Sequence, residues 1–209
     1  MADKGLSLYD DLARGRSDNA AEIKRIYHDW AAQYDADNDE TLGTVSQPTM
    51  VHFLAKHISD KRIRLLDVGC GTGLVGQHLQ QAGFSHFDGT DISDKMLELA
   101  GSRGYENLFL ANIIAGLPVA DKAYDACLCV GVFTHGHVGP EGLDELTRIT
   151  KTDGFIGFTV NEDVYHKDGF DVAIDQLVDK KIWDIKLHQM SDYMTKKNVK
   201  GIYVIAKVR

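Results

Sequence analysis

Residues 65–74 read Leu65-Leu66-Asp67-Val68-Gly69-Cys70-Gly71-Thr72-Gly73-Leu74, and this stretch decides the fold. An apolar run (Ile63, Leu65, Leu66, Val68) ends in glycines at alternate positions, and an amphipathic segment with Leu74, Val75 and Leu79 on one face follows. The pattern predicts a strand, a tight glycine loop and a helix. Glycine suits such a loop because it accepts positive φ and lets another molecule approach bare backbone. The helix start beyond it is expected to add exposed N–H groups that suit a polar or anionic ligand.

The next strand strengthens this reading. His86, Phe87, Asp88, Gly89, Thr90 and Asp91 end in an acid, placed to accept both hydroxyls of a ribose. Two nucleotide-type readings compete at this point. Gly71, Gly73 and Gly76 can be read as the G-x-G-x-x-G of a nicotinamide-binding fold. Asp67, however, stands two residues before Gly69 and makes the string D-x-G-x-G-x-G.

That string followed by a strand-end acid resembles motifs I and II of the class I S-adenosylmethionine-dependent methyltransferases, and the resemblance runs from the first helix to the last strand. It implies S-adenosyl-L-methionine as cofactor. On that resemblance Asp67 lies near the methionine amine, directly or through water. Gly69, Gly71 and Gly73, with Cys70 and Leu74, carry the loop close to the cofactor. Asp91 holds the ribose, Ile92 and Met96 flank the adenine, Asn112 and Ile113 contact it, and Val130 lies beside the methionine part. The family usually has an aspartate where this chain has Asn112, whose side-chain oxygen can still accept a bond from the adenine amine.

The rest of the chain alternates helices and strands. Ile23, Ile26, Tyr27, Trp30, Ala31 and Tyr34 recur at helical spacing over 19–34, and Pro48 opens a second helix to about Ile58. The W-A-x-x-Y-D string in the first of these is frequent among small-molecule members of the resembled family. There such a helix folds over the cofactor as a lid, so Tyr27, Trp30 and Tyr34 are expected to close the pocket. Strands are predicted over 105–111, 123–130, 154–160, 183–187 and 201–208, with helices following Ser93 and over 143–150 and 171–181. The expected fold is α/β, a doubly wound, mostly parallel seven-stranded sheet of Rossmann-like methyltransferase type. Its last strand follows its predecessor without a helical crossover and should run antiparallel. Residues 1–17 are expected to be a loosely ordered N-terminus, and 18–209 a single domain with lid helices over about 18–60.

The fourth strand leads into Gly131-Val132-Phe133-Thr134-His135-Gly136-His137-Val138, at a carboxyl end where ligands of open parallel sheets bind. His135 and His137 are the candidate general bases, since histidine titrates near neutrality. Two histidines at i and i+2 without a clear carboxylate partner make a poor metal site, so none is expected. The VGVFTHGH string together with W-A-x-x-Y-D is similar to the methyltransferase-like proteins of the Williams–Beuren syndrome region type, a narrower match that does not identify an acceptor.

Composition limits the partners. The 209 residues carry 44% hydrophobic and 26% charged residues, ordinary for a globular chain, and a net charge of −8 that disfavours a nucleic-acid footprint. The N-terminus shows no apolar segment of signal-peptide length and no run approaches a membrane span, and Cys127 and Cys129, two apart on one strand, are poorly placed to bridge while Cys70 lies in the glycine loop, so a reducing, cytoplasmic setting is expected. The string N/D-P-P-Y/F/W of amino-group DNA methyltransferases is absent, as is the paired-glutamate loop of protein arginine methyltransferases. A small-molecule methyl acceptor is therefore expected, with neither nucleic acid nor membrane as partner. A non-catalytic cofactor- or partner-binding protein of the same fold is the alternative.

Overall fold

The computed structural model describes residues 20–136 and 138–209. The expectation for residues 1–17 lies outside the described residues. In chain order come α1 (Ala20–Ala36), a π-helical turn (Asp37–Leu42), α2 (Ser46–His57), β1 (Arg64–Val68), α3 (Leu74–Gln81), β2 (His86–Asp91), α4 (Asp94–Ala100) and β3 (Leu108–Leu110). A 3₁₀ turn (Ile113–Ala115) precedes β4 (Tyr124–Phe133), α5 (Gly142–Ile149), β5 (Thr150–Asn161), α6 (Glu162–Tyr165), α7 (Phe170–Asp179), β6 (Trp183–Met194), a second 3₁₀ turn (Thr195–Lys197) and β7 (Val199–Val208).

The strands form one seven-stranded sheet in the order β3-β2-β1-β4-β5-β7-β6. β3, β2, β1, β4 and β5 are parallel, and β7 runs antiparallel between β5 and β6. The doubly wound sheet and antiparallel last strand are as the sequence predicts. Strand order reverses between β1 and β4, so their carboxyl ends open the crevice where ligands of such sheets bind.

Alternation along the strands splits the core into two layers. Leu66, Val68, Cys127, Cys129, Ile156 and Phe158 meet Leu146 of α5 and Phe170 of α7 on one face. Leu65, Leu128, Val130, Tyr203 and Ile205 meet Leu54 of α2 and Leu79 of α3 on the other. Burying an aliphatic side chain of this kind contributes ~1.5–3 kcal/mol. Asp67 is on the α2/α3 face with Leu65 and is fully buried.

Three departures from the sequence reading matter for the site. β3 spans only Leu108–Leu110, because Tyr105 turns inward against Phe87, ring centroids 5.1 Å apart, instead of extending the strand. β4 continues past Val130 through an irregularity between Cys129 and Phe133 and re-pairs at Phe133 with Val160. Gly131, with φ +85°, lies in that irregularity, and its N–H donates to the Thr159 hydroxyl at 3.0 Å. Beyond α1, the Asp37–Leu42 turn ends at Gly43 in the left-handed region, a wider coil that no spacing in the sequence announces.

Candidate functional site

A cavity of about 300 Å³ opens at the carboxyl ends of β1, β2 and β4, under α1. That is the lower end of the size range of small-molecule sites. Of the residues singled out from sequence, Tyr27, Tyr34, Gly69, Gly71, Asp91, Ile92, Asn112, Ile113 and Val130 line it. A smaller cleft adjoins it through the shared residues Tyr27, Tyr34 and Gly131, and adds Trp30, Asn38, Thr134 and Tyr193.

The glycine loop owes its shape to close packing. Gly69 has φ +74°, and a Cβ there would stand 2.3 Å from Cγ2 of Val132, so the β4 irregularity and the loop interlock. Gly71 has φ +55° with no atom within 4 Å of a would-be Cβ, which leaves open space beside the backbone. Four N–H groups of the loop are turned to partners within the protein. Gly69 and Cys70 donate to the Thr90 carbonyl at 2.7 and 2.9 Å, Gly73 to the Cys70 carbonyl at 2.9 Å, and Gly71 to Asp91 Oδ2 at 2.9 Å. These donors sit within reach of the end of β2 and of the loop itself, and buried backbone donors are nearly always paired.

Asp91 is held by the backbone. Its Oδ1 accepts the Ser93 N–H at 2.9 Å and its Oδ2 the Gly71 N–H at 2.9 Å. Burial pushes its carboxyl up from the ordinary value, opposed by the N–H donors of Ser93, Gly71 and Ile92. A carboxylate offers about four acceptor positions, so both oxygens keep capacity for a diol.

Asn112 closes the adjoining corner. Its Oδ1 accepts the Ile114 N–H at 3.0 Å and caps the 3₁₀ turn. The oxygen expected to meet the adenine amine thus already carries one bond, and its second lone pair and the amide N–H groups are what it has to offer. Thr90 adds a buried hydroxyl in the wall that has no hydrogen-bond partner among the described residues.

Other expected site residues lie elsewhere. Asp67, Cys70, Gly73, Leu74 and Met96 are absent from the cavity wall; Cys70 and Met96 are buried, and Trp30 lines the smaller cleft alone. His135 lines neither, its Nε2 being 3.6 Å from Oδ2 of Asp163, and His137 lies outside the described residues. The three aromatics of α1 do cluster, with Trp30 and Tyr34 edge-to-face at 4.9 Å and Tyr27 about 6 Å from each. The Trp30 indole N–H donates to Asp37 Oδ2 at 2.7 Å.

The structure brings in residues that sequence reasoning missed. Asp35, at the end of α1, accepts from the Thr72 hydroxyl and from Arg103, each at 2.5 Å, and so ties α1 to the glycine loop. Ile23, Val132, Val138 and Glu141 also line the wall. Tyr105 packs beneath the loop, and a Cβ on Gly76 would stand 2.6 Å from its ring. Gly76 is therefore a glycine because of Tyr105, which removes the packing basis for reading it as part of a dinucleotide fingerprint.

Two buried acids on β1 and β2 show what the fold does with charge. Asp88 accepts from Asn107 at 2.7 Å, Arg64 at 2.8 Å and Tyr124 at 2.9 Å. Burial would raise its carboxyl, but those donors outweigh it and hold it below the usual value. Asp67 has one side-chain donor, the Tyr105 hydroxyl at 2.6 Å on Oδ2, and its Oδ1 has no hydrogen-bond partner among the described residues. Burial, with the charge of Asp91 adding to it and Tyr105 opposing it, pushes the Asp67 carboxyl up to about 7. A buried carboxylate with an oxygen left over fits a cationic ligand group that completes it. Asp91 and the open backbone at Gly71 in the wall, with Asp67 buried behind the loop, fit an amino-acid nucleoside such as S-adenosylmethionine.

Comparison with known proteins agrees. A family model described as a methyltransferase domain matches residues 66–158. The chain is 31% identical to methyltransferase-like protein 27 of Homo sapiens over 193 residues, 87% of this chain and 78% of that protein. It is 38% identical to the 18S rRNA (guanine-N(7))-methyltransferase of Bos taurus over a shorter stretch, 34% of this chain and 25% of that protein. The solved structure of magnesium protoporphyrin IX methyltransferase from Synechocystis PCC 6803, with bound S-adenosylmethionine, is similar in fold, with a TM-score of 0.64 at 17% identity. The match covers 89% of this chain and 97% of that one.

Proposed function

The chain belongs to the class I S-adenosylmethionine-dependent methyltransferases, and on that premise we propose that it methylates a small-molecule acceptor whose reacting end enters the aromatic cleft beside Gly131. The observation that carries this reading is that the two spaces adjoin. The large cavity has the size and donor set for the cofactor, and the cleft of about 30 Å³ adjoins it through Tyr27, Tyr34 and Gly131. That volume is about one water's share of the liquid, so it admits the reacting end of an acceptor and little more. No described residue lining either space is Lys or Arg, while Asp91 and Glu141 are acids, which speaks against a phosphate-rich acceptor.

When bound, the cofactor supplies a methyl group already activated by its sulfonium. The chain's own part is to bind, orient and exclude water. In this reading Asp91 holds the ribose hydroxyls, and Ile92, Asn112 and Ile113 border the adenine. Gly69 and Gly71 let the backbone approach, and Val130 and Gly131 border the methionine part. Asp67 faces the amine from behind the loop that Cys70, Gly73 and Leu74 shape. Tyr27, Trp30 and Tyr34 close the space from α1. Orientation of this kind can contribute ~7–11 kcal/mol to a barrier. His135, beside the cleft residue Thr134, and His137 are the candidate bases for an acceptor that must lose a proton.

Thermal unfolding with S-adenosylhomocysteine, and with NAD alongside, tests the cofactor site. Ligand at about a hundred times its dissociation constant stabilises by ~2.7 kcal/mol, a shift of roughly 5–10 °C for a chain of this size. A shift with the adenosyl ligand alone is expected, and a shift with NAD alone would overturn the reading. Transfer of labelled methyl to the low-molecular-mass fraction of a cell extract tests the acceptor class. Label found only in RNA or protein would refute the small-molecule proposal, and cofactor binding without any transfer would favour a non-catalytic role.

A further inference from the structure

Tyr105 has no role in the cofactor contacts above, yet it bridges the two ends of the glycine loop. Its hydroxyl donates to Asp67 Oδ2 at 2.6 Å and accepts the Gly76 N–H at 3.0 Å. Its ring fills the space that side chains on three glycines would take. A Cβ would stand 3.0 Å from the ring at Gly73, 2.6 Å at Gly76 and 2.8 Å at Gly89. Arg103 shares the space at Gly73 and Leu108 that at Gly89, while at Gly76 Tyr105 alone fills it, so this side chain is wedged between the end of β1, the first turn of α3 and β2.

We propose that Tyr105 is a positioning residue for the cofactor that acts through Asp67. Its hydroxyl ties the buried carboxylate to the first turn of α3 and decides how readily that carboxylate carries charge, so that cofactor affinity depends on pH across neutrality. This rests on reading the cavity as the cofactor site, with Asp67 answering the amine.

The surroundings of Asp67 give the inference its sign. Facing it are Tyr105 from the segment before β3, Asp91 from β2, Cys70 from the loop and Cys129 from β4. Burial pushes both thiols up, so they stay neutral, and Asp91 contributes like charge. No described Lys or Arg acts on Asp67. The Tyr105 hydroxyl is therefore the one side-chain contact among them that favours the ionised form, and a ligand ammonium is the cation that would complete it.

The test is calorimetric titration of S-adenosylhomocysteine into wild type, Tyr105→Phe and Asp67→Asn between about pH 6 and pH 8.5, with thermal unfolding of each variant as a folding control. If the acid must be ionised to bind, wild-type affinity rises about tenfold from pH 6 to pH 8. Tyr105→Phe keeps the ring but loses the donor. Its rise should move to higher pH, with affinity several-fold lower near pH 7 and the gap closing toward pH 8.5. Asp67→Asn should be flat. A Tyr105→Phe profile parallel to wild type overturns the proposal, as does an Asp67→Asn profile that still rises. Should Tyr105→Phe fail to fold, the Asp67→Asn profile decides alone. Wild type that binds with a flat profile overturns this proposal and leaves the cofactor site standing, whereas wild type that binds at no pH overturns the site itself.

Discussion

Replacing Asp67 by asparagine should make the ligand-free protein more stable relative to wild type as pH rises from about 4 to about 7.5. The reason lies in the difference between the folded and unfolded carboxyl. In the fold Asp67 is fully buried and burial pushes it up to about 7, whereas in the unfolded chain it returns to about 3.8. Below pH ~4 both states hold the proton, and the site costs nothing. Between ~4 and ~7 the unfolded chain releases its proton while the folded chain keeps it, so wild-type stability falls as pH rises. Above ~7 both are ionised and the fall ends. The window is about three pKa units at 1.36 kcal/mol each, a loss on the order of 4 kcal/mol. Asp67→Asn cannot titrate and escapes that loss. Its amide oxygen can still accept from Tyr105, but its NH₂ takes the place of an oxygen that has no hydrogen-bond partner among the described residues, at a cost of ~1–3 kcal/mol. That cost does not change with pH, so the slope of the difference carries the test. Urea unfolding followed by tryptophan fluorescence at several pH values, with ΔG by linear extrapolation, gives the two curves. Parallel curves through this window would falsify the account of Asp67 as a carboxyl that burial raises well above its unfolded value.

Asp91→Ala removes the acceptor of the Gly71 and Ser93 N–H groups as well as the proposed ribose contact. Calorimetry should show roughly 10- to 100-fold weaker binding of S-adenosylhomocysteine, the range for hydrogen bonds to a charged group. Unchanged affinity in a folded variant would count against the ribose assignment. Asp35→Ala cuts the ties from α1 to Thr72 and Arg103. Because this contact is partly exposed, global stability should change by no more than ~1 kcal/mol while the Michaelis constant for the cofactor rises several-fold. A large stability loss with an unchanged Michaelis constant would make Asp35 a strut and not part of the proposed lid.

Much of this molecule is legible in local order. The apolar runs of β1 and β4 read as strands, and in the fold Leu65 and Leu66 divide between the two core layers. Asp91 and the glycines of the loop stand where alternation and turn chemistry place them, and the family's motif order carries over to the cavity wall at nine of the expected residues. Tyr105 escaped because YENLFLA has the composition of a strand, and what bends its side chain inward is vacant space above Gly73, Gly76 and Gly89. Asp35 escaped because a charge at a helix end ordinarily reads as solvated. Its partners Thr72 and Arg103 are 37 and 68 residues away. No window on the chain contains such a contact.

The sequence by itself determined the α/β architecture, the alternation of helices and strands that makes the sheet mostly parallel, the glycine loop and the strand-end acid. These follow from periodicity, turn chemistry and charge within short stretches. Only the tertiary structure decided which of the aspartates carry charge. Asp67 and Asp88 both lie inside strands and both are buried, yet three donors hold one ionised and a single hydroxyl leaves the other near neutrality. The number of donors that reach a buried carboxylate is set by which distant side chains the packing brings against it, and that is the quantity on which the reading of this site turns.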